Sequence, residues 1–260
     1  MNILGIVSAG LVAGTLSSAS AQESRSSSML LPLPTPAVDA VAPALGAFTR
    51  DTLLNEVWNR PDLSRRDRSV VTVAALIARG QTGEMPFYVE RALDEGVTPV
   101  ELSGIVTHLA FYSGFPNAAG AAEATKAVFD RRGITADQLP GFDIDLLPQD
   151  GAAEAAREKT VEETVGPVSR GVVEYTNLLF DRVWQRPDLA PRDRSLITVT
   201  ALIVSGQTGQ VGFHLGKAMD NGLTKAEASE VLTHLAFYGG WPNVFSAVPV
   251  VREVFETKGN

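Results

Sequence analysis

Trp58-Asn59-Arg60-Pro61-Asp62-Leu63 returns as Trp184-Gln185-Arg186-Pro187-Asp188-Leu189, and that return decides how the rest of the chain is read. The offset, 58 to 184, also relates Asp67-Arg68-Ser69 to Asp193-Arg194-Ser195 and Gly80-Gln81-Thr82-Gly83 to Gly206-Gln207-Thr208-Gly209. Thr107-His108-Leu109-Ala110-Phe111-Tyr112 likewise becomes Thr233-His234-Leu235-Ala236-Phe237-Tyr238. Solenoid units repeat every ~20–50 residues and need their neighbours, whereas this period is the length of a small domain. The spacing predicts a duplicated domain whose halves face each other across a pseudo-twofold axis.

Each copy reads as helices alone, with no alternating strand pattern of useful length. Ser64-Arg65-Arg66-Asp67 is a helix start, and Pro191 stands just inside the equivalent helix, where its missing N–H costs nothing. The helix that follows is apolar nearly all round, as a central rod must be. Gly80 and Gly206 suit its left-handed stop. Thr98-Pro99-Val100-Glu101 and Thr224-Lys225-Ala226-Glu227 open the helices carrying the Thr-His-Leu-Ala-Phe-Tyr segment. The expected fold is an all-α duplicated helical bundle.

Around the copies, residues 1–21 read as a secretory signal: an apolar run from Ile3 to Leu16, then Ala19-Ser20-Ala21 as the cleavage pattern. That run is too short to anchor in a bilayer, so no membrane association is expected after cleavage. Residues 22–46 are Ser- and Pro-rich and read as an extended or disordered arm. Copy one occupies 47–134 and an acidic connector 135–167, with a short helix opening at Asp150. Copy two occupies 168–260. The chain has no cysteine, which excludes disulfides, thiolate metal sites and thiol redox chemistry. A net charge of −8 argues against nucleic acid as a partner. The expected location is periplasmic or secreted.

Copy two carries Arg194-Ser195-Leu196-Ile197-Thr198-Val199, then His214, Asn221-Gly222-Leu223-Thr224 and Tyr238-Gly239-Gly240-Trp241-Pro242. This series resembles the carboxymuconolactone decarboxylase family, and the likeness runs through nearly all of both copies. The resemblance implies a cofactor-free carboxy-lyase, a small-molecule carboxylate or lactone substrate, and a homotrimer of double copies (a pseudo-hexamer). The peroxidase branch of the family needs two cysteines, whose places are taken by Gln207 and Gln210, so thiol peroxidase chemistry is excluded. The decarboxylase branch implies a glutamate and a histidine on one helix. Copy one supplies Glu84 but has Tyr88 for the histidine, and copy two supplies His214 but has Gln210 for the glutamate.

Where the copies differ at a polar position, chemistry has been divided or lost, so His214 is the expected proton donor. Arg194 and His234 complete the expected catalytic group. Gln207, Gln210, Tyr238, Trp241, Glu84 and Arg68 are the expected substrate-binding residues. Other readings stand beside these. His108 and His234 are kept in both halves and suit a bonded seam. Arg68 and Arg194 suit an ion-pair network as well as a carboxylate clamp. Gln207 suits a loop cap, and Trp241 suits packing. Three scattered histidines make no metal site. A non-catalytic small-molecule-binding or assembly protein, or an isomerase or hydrolase reusing the pocket, is the alternative function.

Overall fold

The structure, a computed structural model, describes residues 33–258. The signal sequence expected at 1–21 and the first part of the arm lie outside them. Every regular element among the described residues is helical. Two short helices, α1 (Pro36–Val41) and α2 (Pro43–Ala47), open the chain, and α2 runs on through a wide-wound segment, Phe48–Glu56. The stretch read as an extended arm is therefore helical from Pro36 onward. Proline at the first helical position of both explains it: a Pro-rich stretch reads as extended, but Pro also starts helices.

Copy one then contains α3 (Arg65–Ala78), α4 (Met85–Asp94), α5 (Pro99–Ser113) and α6 (Phe115–Arg132). The connector forms α7 (Gly151–Val165), longer than the expected short helix, with Asp150 accepting from the N–H groups of Ala152 and Ala153. Copy two follows with α8 (Arg170–Leu178), α9 (Pro191–Val204), α10 (Val211–Asp220), α11 (Lys225–Gly239) and α12 (Trp241–Thr257). Helices α3, α4 and α5 map onto α9, α10 and α11 at the sequence offset, end for end.

The caps are those the sequence announces. Ser64 Oγ accepts from the Asp67 N–H at 3.0 Å. Thr98 and Glu101 form a reciprocal box at 2.7 and 3.2 Å, and Thr224 and Glu227 repeat it at 2.8 and 3.1 Å. Gly80 and Gly206 end the central helices at φ +63° and +72°, a conformation that penalises any side chain with a Cβ.

The halves share their interior. Helices α3 and α9 pack on each other, α11 lies on α3, and α5 lies on α9. Leu189, Ile197 and Ala201 of copy two therefore join the core around Trp58 and Ile105, while Leu63, Val71 and Ala75 of copy one join that around Leu196 and Leu235. This exchange places residues of both copies at each functional position.

Candidate functional site

Charge pins the seam first. Arg66 donates to Asp193 at 2.7 Å and to Asp67 at 3.0 Å, and Arg192 donates to Asp67 at 2.7 Å and Asp193 at 2.8 Å. Glu101 and Glu227 close the two ends of this ring on Arg66 and Arg192. The network lies at the N-termini of α3 and α9, where carboxylates are also favoured by the helix dipole.

Beneath it lie two buried arginines with different counter-ions. Arg68 Nη2 donates to Glu230 Oε1 at 3.0 Å, across the seam. Arg194 Nη2 donates to Asp188 Oδ1 at 2.8 Å, within its own copy. Both side chains are at most 1% exposed, and each also donates to a backbone carbonyl, of Arg60 and Arg186 respectively. These guanidiniums are charge-paired and out of reach of solvent, only the Nε of each lacking a partner among the described residues. They hold the framework, and the expected clamp on a substrate carboxylate is not what they form.

His108 and His234 are seam residues. His234 Nε2 lies 2.8 Å from Thr72 Oγ1, and that hydroxyl sits 2.8 Å from the Arg68 carbonyl one turn back. The single Thr O–H serves the carbonyl, so Nε2 must carry the imidazole proton and Nδ1 must accept, facing Arg68 Nη1 at 3.5 Å. His108, Thr198 and Arg194 repeat the arrangement. Burial, with Arg68 and then Arg91 adding, pushes His234 down to about 3. Burial with Arg194 pushes His108 well below the usual histidine range. Both are neutral and fully bonded.

Two aromatic clusters flank this seam, and each mixes the copies. In the first, Trp58 stacks on Tyr88, Trp58 Nε1 donates to Tyr238 Oη at 2.9 Å, and Tyr238 Oη donates to Tyr88 Oη at 3.1 Å. His234 and Arg91 complete it, with the Arg91 guanidinium 3.7 Å above the Trp58 ring. In the second, Trp184 Nε1 donates to Tyr112 Oη at 3.0 Å, and His108 packs on both rings. Here His214 stands where Tyr88 stands in the first. It lies parallel to Trp184 at 5.4 Å and edge-on to Tyr112 at 5.6 Å. Tyr88 is tied into a hydrogen-bonded chain, whereas His214 Nδ1 is buried with no partner among the described residues.

Two cations stand at the second cluster, Lys217 and Arg157, and Arg157 is ion-paired with Glu154. Lys217 Nζ stands 5.0 Å from the Trp184 ring centroid, 5.7 Å from Phe213 and 5.8 Å from Phe180, with no carboxylate in ion-pairing distance among the described residues. Burial lowers its pKa, against the pull of Glu154 and with the help of Arg157. Arg157, carried by α7, lies over Phe180 at 4.4 Å, and its Nη1 is buried without a partner. Burial, with Lys217 adding, holds His214 down at about 4.

The expected site residues thus fall into separate places. His214 belongs to the second cluster, and Gln210, exposed, is the N-cap residue of the same helix, four residues before it. Arg194 reaches that cluster through His108, 3.5 Å from its Nη1, and acts electrostatically on Tyr112. His234, Tyr238 and Arg68 belong to the first cluster, and Glu84 precedes α4 there as its N-cap residue. They do not meet His214, because α11 packs on copy one's central helix and not on its own cluster. Gln207 is an exposed loop residue, its N–H bonded to the Leu202 carbonyl at 2.8 Å. Trp241 is 51% exposed against Phe237, at the start of α12. The reading missed Tyr112, Trp184, Lys217 and Arg157. A basic residue three places after Tyr88 and His214 in both copies, Arg91 and Lys217, was the available signal for one of them. Nothing in the pattern marked Arg157.

The chain is 36% identical over 84 residues to 4-carboxymuconolactone decarboxylase of Acinetobacter baylyi, 32% of this chain and 63% of that enzyme. It is 35% identical over 78 residues to nitrosuccinic acid decarboxylase of Metarhizium robertsii, 30% of this chain and 54% of that enzyme. The matches span about three fifths and half of these relatives. The carboxymuconolactone decarboxylase family description matches residues 43–127 and again 174–253, once per copy. The chain belongs to the carboxymuconolactone decarboxylase family, as a member with two copies of its domain.

Proposed function

We propose that the protein is a carboxy-lyase acting without a cofactor on an acidic lactone or a related carboxylic acid, and that its reaction takes place at His214. The observation that carries this reading is the contrast between equivalent positions: Tyr88 is bonded and His214 Nδ1 is buried and free. An unpaired buried imidazole nitrogen costs roughly 1–3 kcal/mol, which folding alone does not require. Both relatives described above are named as decarboxylases of carboxylic acids.

In the proposed mechanism, Lys217 holds an anionic group of the substrate over the Trp184 and Phe213 rings. The charge so introduced beside His214 favours imidazolium, opposing the burial that keeps it neutral in the free protein. The bond between the ring carbon and the departing carboxylate breaks, CO2 leaves, and the electron pair spreads into an enolate on the lactone carbonyl oxygen. Gln210 offers an amide donor to that oxygen, and the imidazolium gives its proton to carbon. His214 ends neutral, ready for another proton. Export to the periplasm or beyond, and assembly as a trimer, belong to the same proposal; exposed Phe115, Trp241 and Phe245 offer apolar surface for subunit contact.

The test is CO2 release from 4-carboxymuconolactone, with the product examined by NMR after reaction in D2O. The reading expects one solvent deuterium on a ring carbon per CO2. Background-level release from this lactone and from nitrosuccinic acid would favour a binding protein that kept the fold after losing its glutamate–histidine pair.

A further inference from the structure

We infer that copy one holds a second ligand site, remote from His214, for a small neutral and mainly apolar molecule. A cavity of about 620 Å³ lies between α5 and α6, walled by Leu102, Val106, Phe129, Ile134, Leu139 and Thr125. That volume is in the ~300–1,000 Å³ range of small-molecule pockets. No residue lining it belongs to either aromatic cluster.

Three features set this cavity apart from an accidental groove. Its outer wall is the segment 134–139, which lies beyond the family match that ends at residue 127. That segment is fixed by the Ile134 N–H on the Phe129 carbonyl at 2.9 Å and by the Thr135 N–H on Gln138 Oε1 at 2.8 Å. Second, Thr125 is 95% buried, given its 5% exposure, and its hydroxyl has no partner among the described residues. The equivalent residue in copy two is Val251, equally buried, so packing alone does not require a hydroxyl there. Third, Ala122 stands at the mouth where copy two carries Val248, which leaves the opening wider.

The chemistry of the wall selects the ligand. Lys126 and Asp130 at the rim pair with each other at 2.6 Å and leave no net charge for an ion. The ligand therefore presents apolar surface to Leu102 and Phe129, and one hydrogen-bonding group to the Thr125 hydroxyl, which offsets the cost of that buried group.

The probe is N-phenyl-1-naphthylamine, a neutral two-part aromatic with a single N–H that fluoresces in apolar surroundings. The full chain is expected to bind it saturably at one site. Thr125→Val, which copies the residue of the other half and should fold, is expected to weaken binding roughly fivefold, the worth of about one hydrogen bond. Ala122→Phe, at the exposed mouth, is expected to weaken it more than about tenfold by filling the space. Both variants should keep the circular dichroism spectrum and melting temperature of the parent. Absence of saturable binding, or equal binding by the parent and both folded variants, would overturn the site.

Discussion

Asp188 stands where a side chain on Gly104 would have to go: a Cβ on that glycine would lie 3.1 Å from the Asp188 Oδ1 that receives Arg194. In the other half the equivalent of Gly104 is Glu230, which reaches across to Arg68, and the equivalent of Asp188 is Asp62, which is exposed. Copy two thus supplies the carboxylate for both buried arginines, Glu230 of α11 for Arg68 and Asp188, ahead of α9, for Arg194. The swap explains how two diverged copies keep the same charge balance beneath the seam.

This relationship has a measurable asymmetry. Removing one partner of a buried pair strands the other charge and typically costs about 3–5 kcal/mol. Asp188→Ala should therefore destabilise by that order in urea unfolding, while Asp62→Ala, on the surface, should stay within about 0.5 kcal/mol. Equal effects would show that Asp188 does not neutralise Arg194.

Stability should fall as pH falls below neutrality. His214 at about 4, His234 at about 3 and His108, also depressed, stay neutral in the fold, while the unfolded chain protonates them near 6.5. Below about 6.5 the unfolded state binds more protons, so unfolding becomes easier until the folded pKa values are reached; above 7 these groups add nothing. Each histidine contributes a slope of a little over ~1 kcal/mol per pH unit in that window. Chemical denaturation at pH 7, 6 and 5 measures it, and the slope should flatten by about a third in a folded His214→Gln variant.

The two aromatic clusters should answer differently to the same deletion. Tyr238→Phe and Tyr112→Phe each strip the acceptor from a tryptophan N–H, of Trp58 and Trp184 respectively, at a cost of about 1–3 kcal/mol. Only Tyr112→Phe should also reduce CO2 release, because only Tyr112 packs against His214. Loss of activity in Tyr238→Phe with the structure intact would move the reactive site to the first cluster.

Lys217 should act on binding. Lys217→Met keeps an apolar stem against Trp184 and removes the charge. It should raise KM for an anionic substrate by about tenfold or more, and weaken the salt dependence of kcat/KM. An unchanged KM would remove Lys217 from the anion-holding role.

Much of this architecture is legible in the sequence because its determinants are local. The caps at Ser64, Thr98 and Thr224 and the stops at Gly80 and Gly206 depend on neighbours within a turn. The duplication shows which helices correspond, and it marks Tyr88 and His214 as equivalent positions at which the copies part. What the repeat could not show was the exchange of partners. Position in the chain sets His214 with His234 in copy two, yet α5 of copy one delivers His108 and Tyr112 to it. That outcome depends on how two domains pack, which no spacing within one domain records. Arg157 was hidden for a related reason: it comes from the connector, which has no described counterpart to compare.

The proposed chemistry resides at His214 alone of the two equivalent positions. The direct measurement is kcat for CO2 release from 4-carboxymuconolactone by the parent, His214→Gln and Tyr88→Phe. A positioned general acid contributes about 10²–10⁴-fold. The account predicts a loss of at least about a hundredfold for His214→Gln, with Tyr88→Phe within about twofold of the parent. Parent-like turnover by a folded His214→Gln would contradict it.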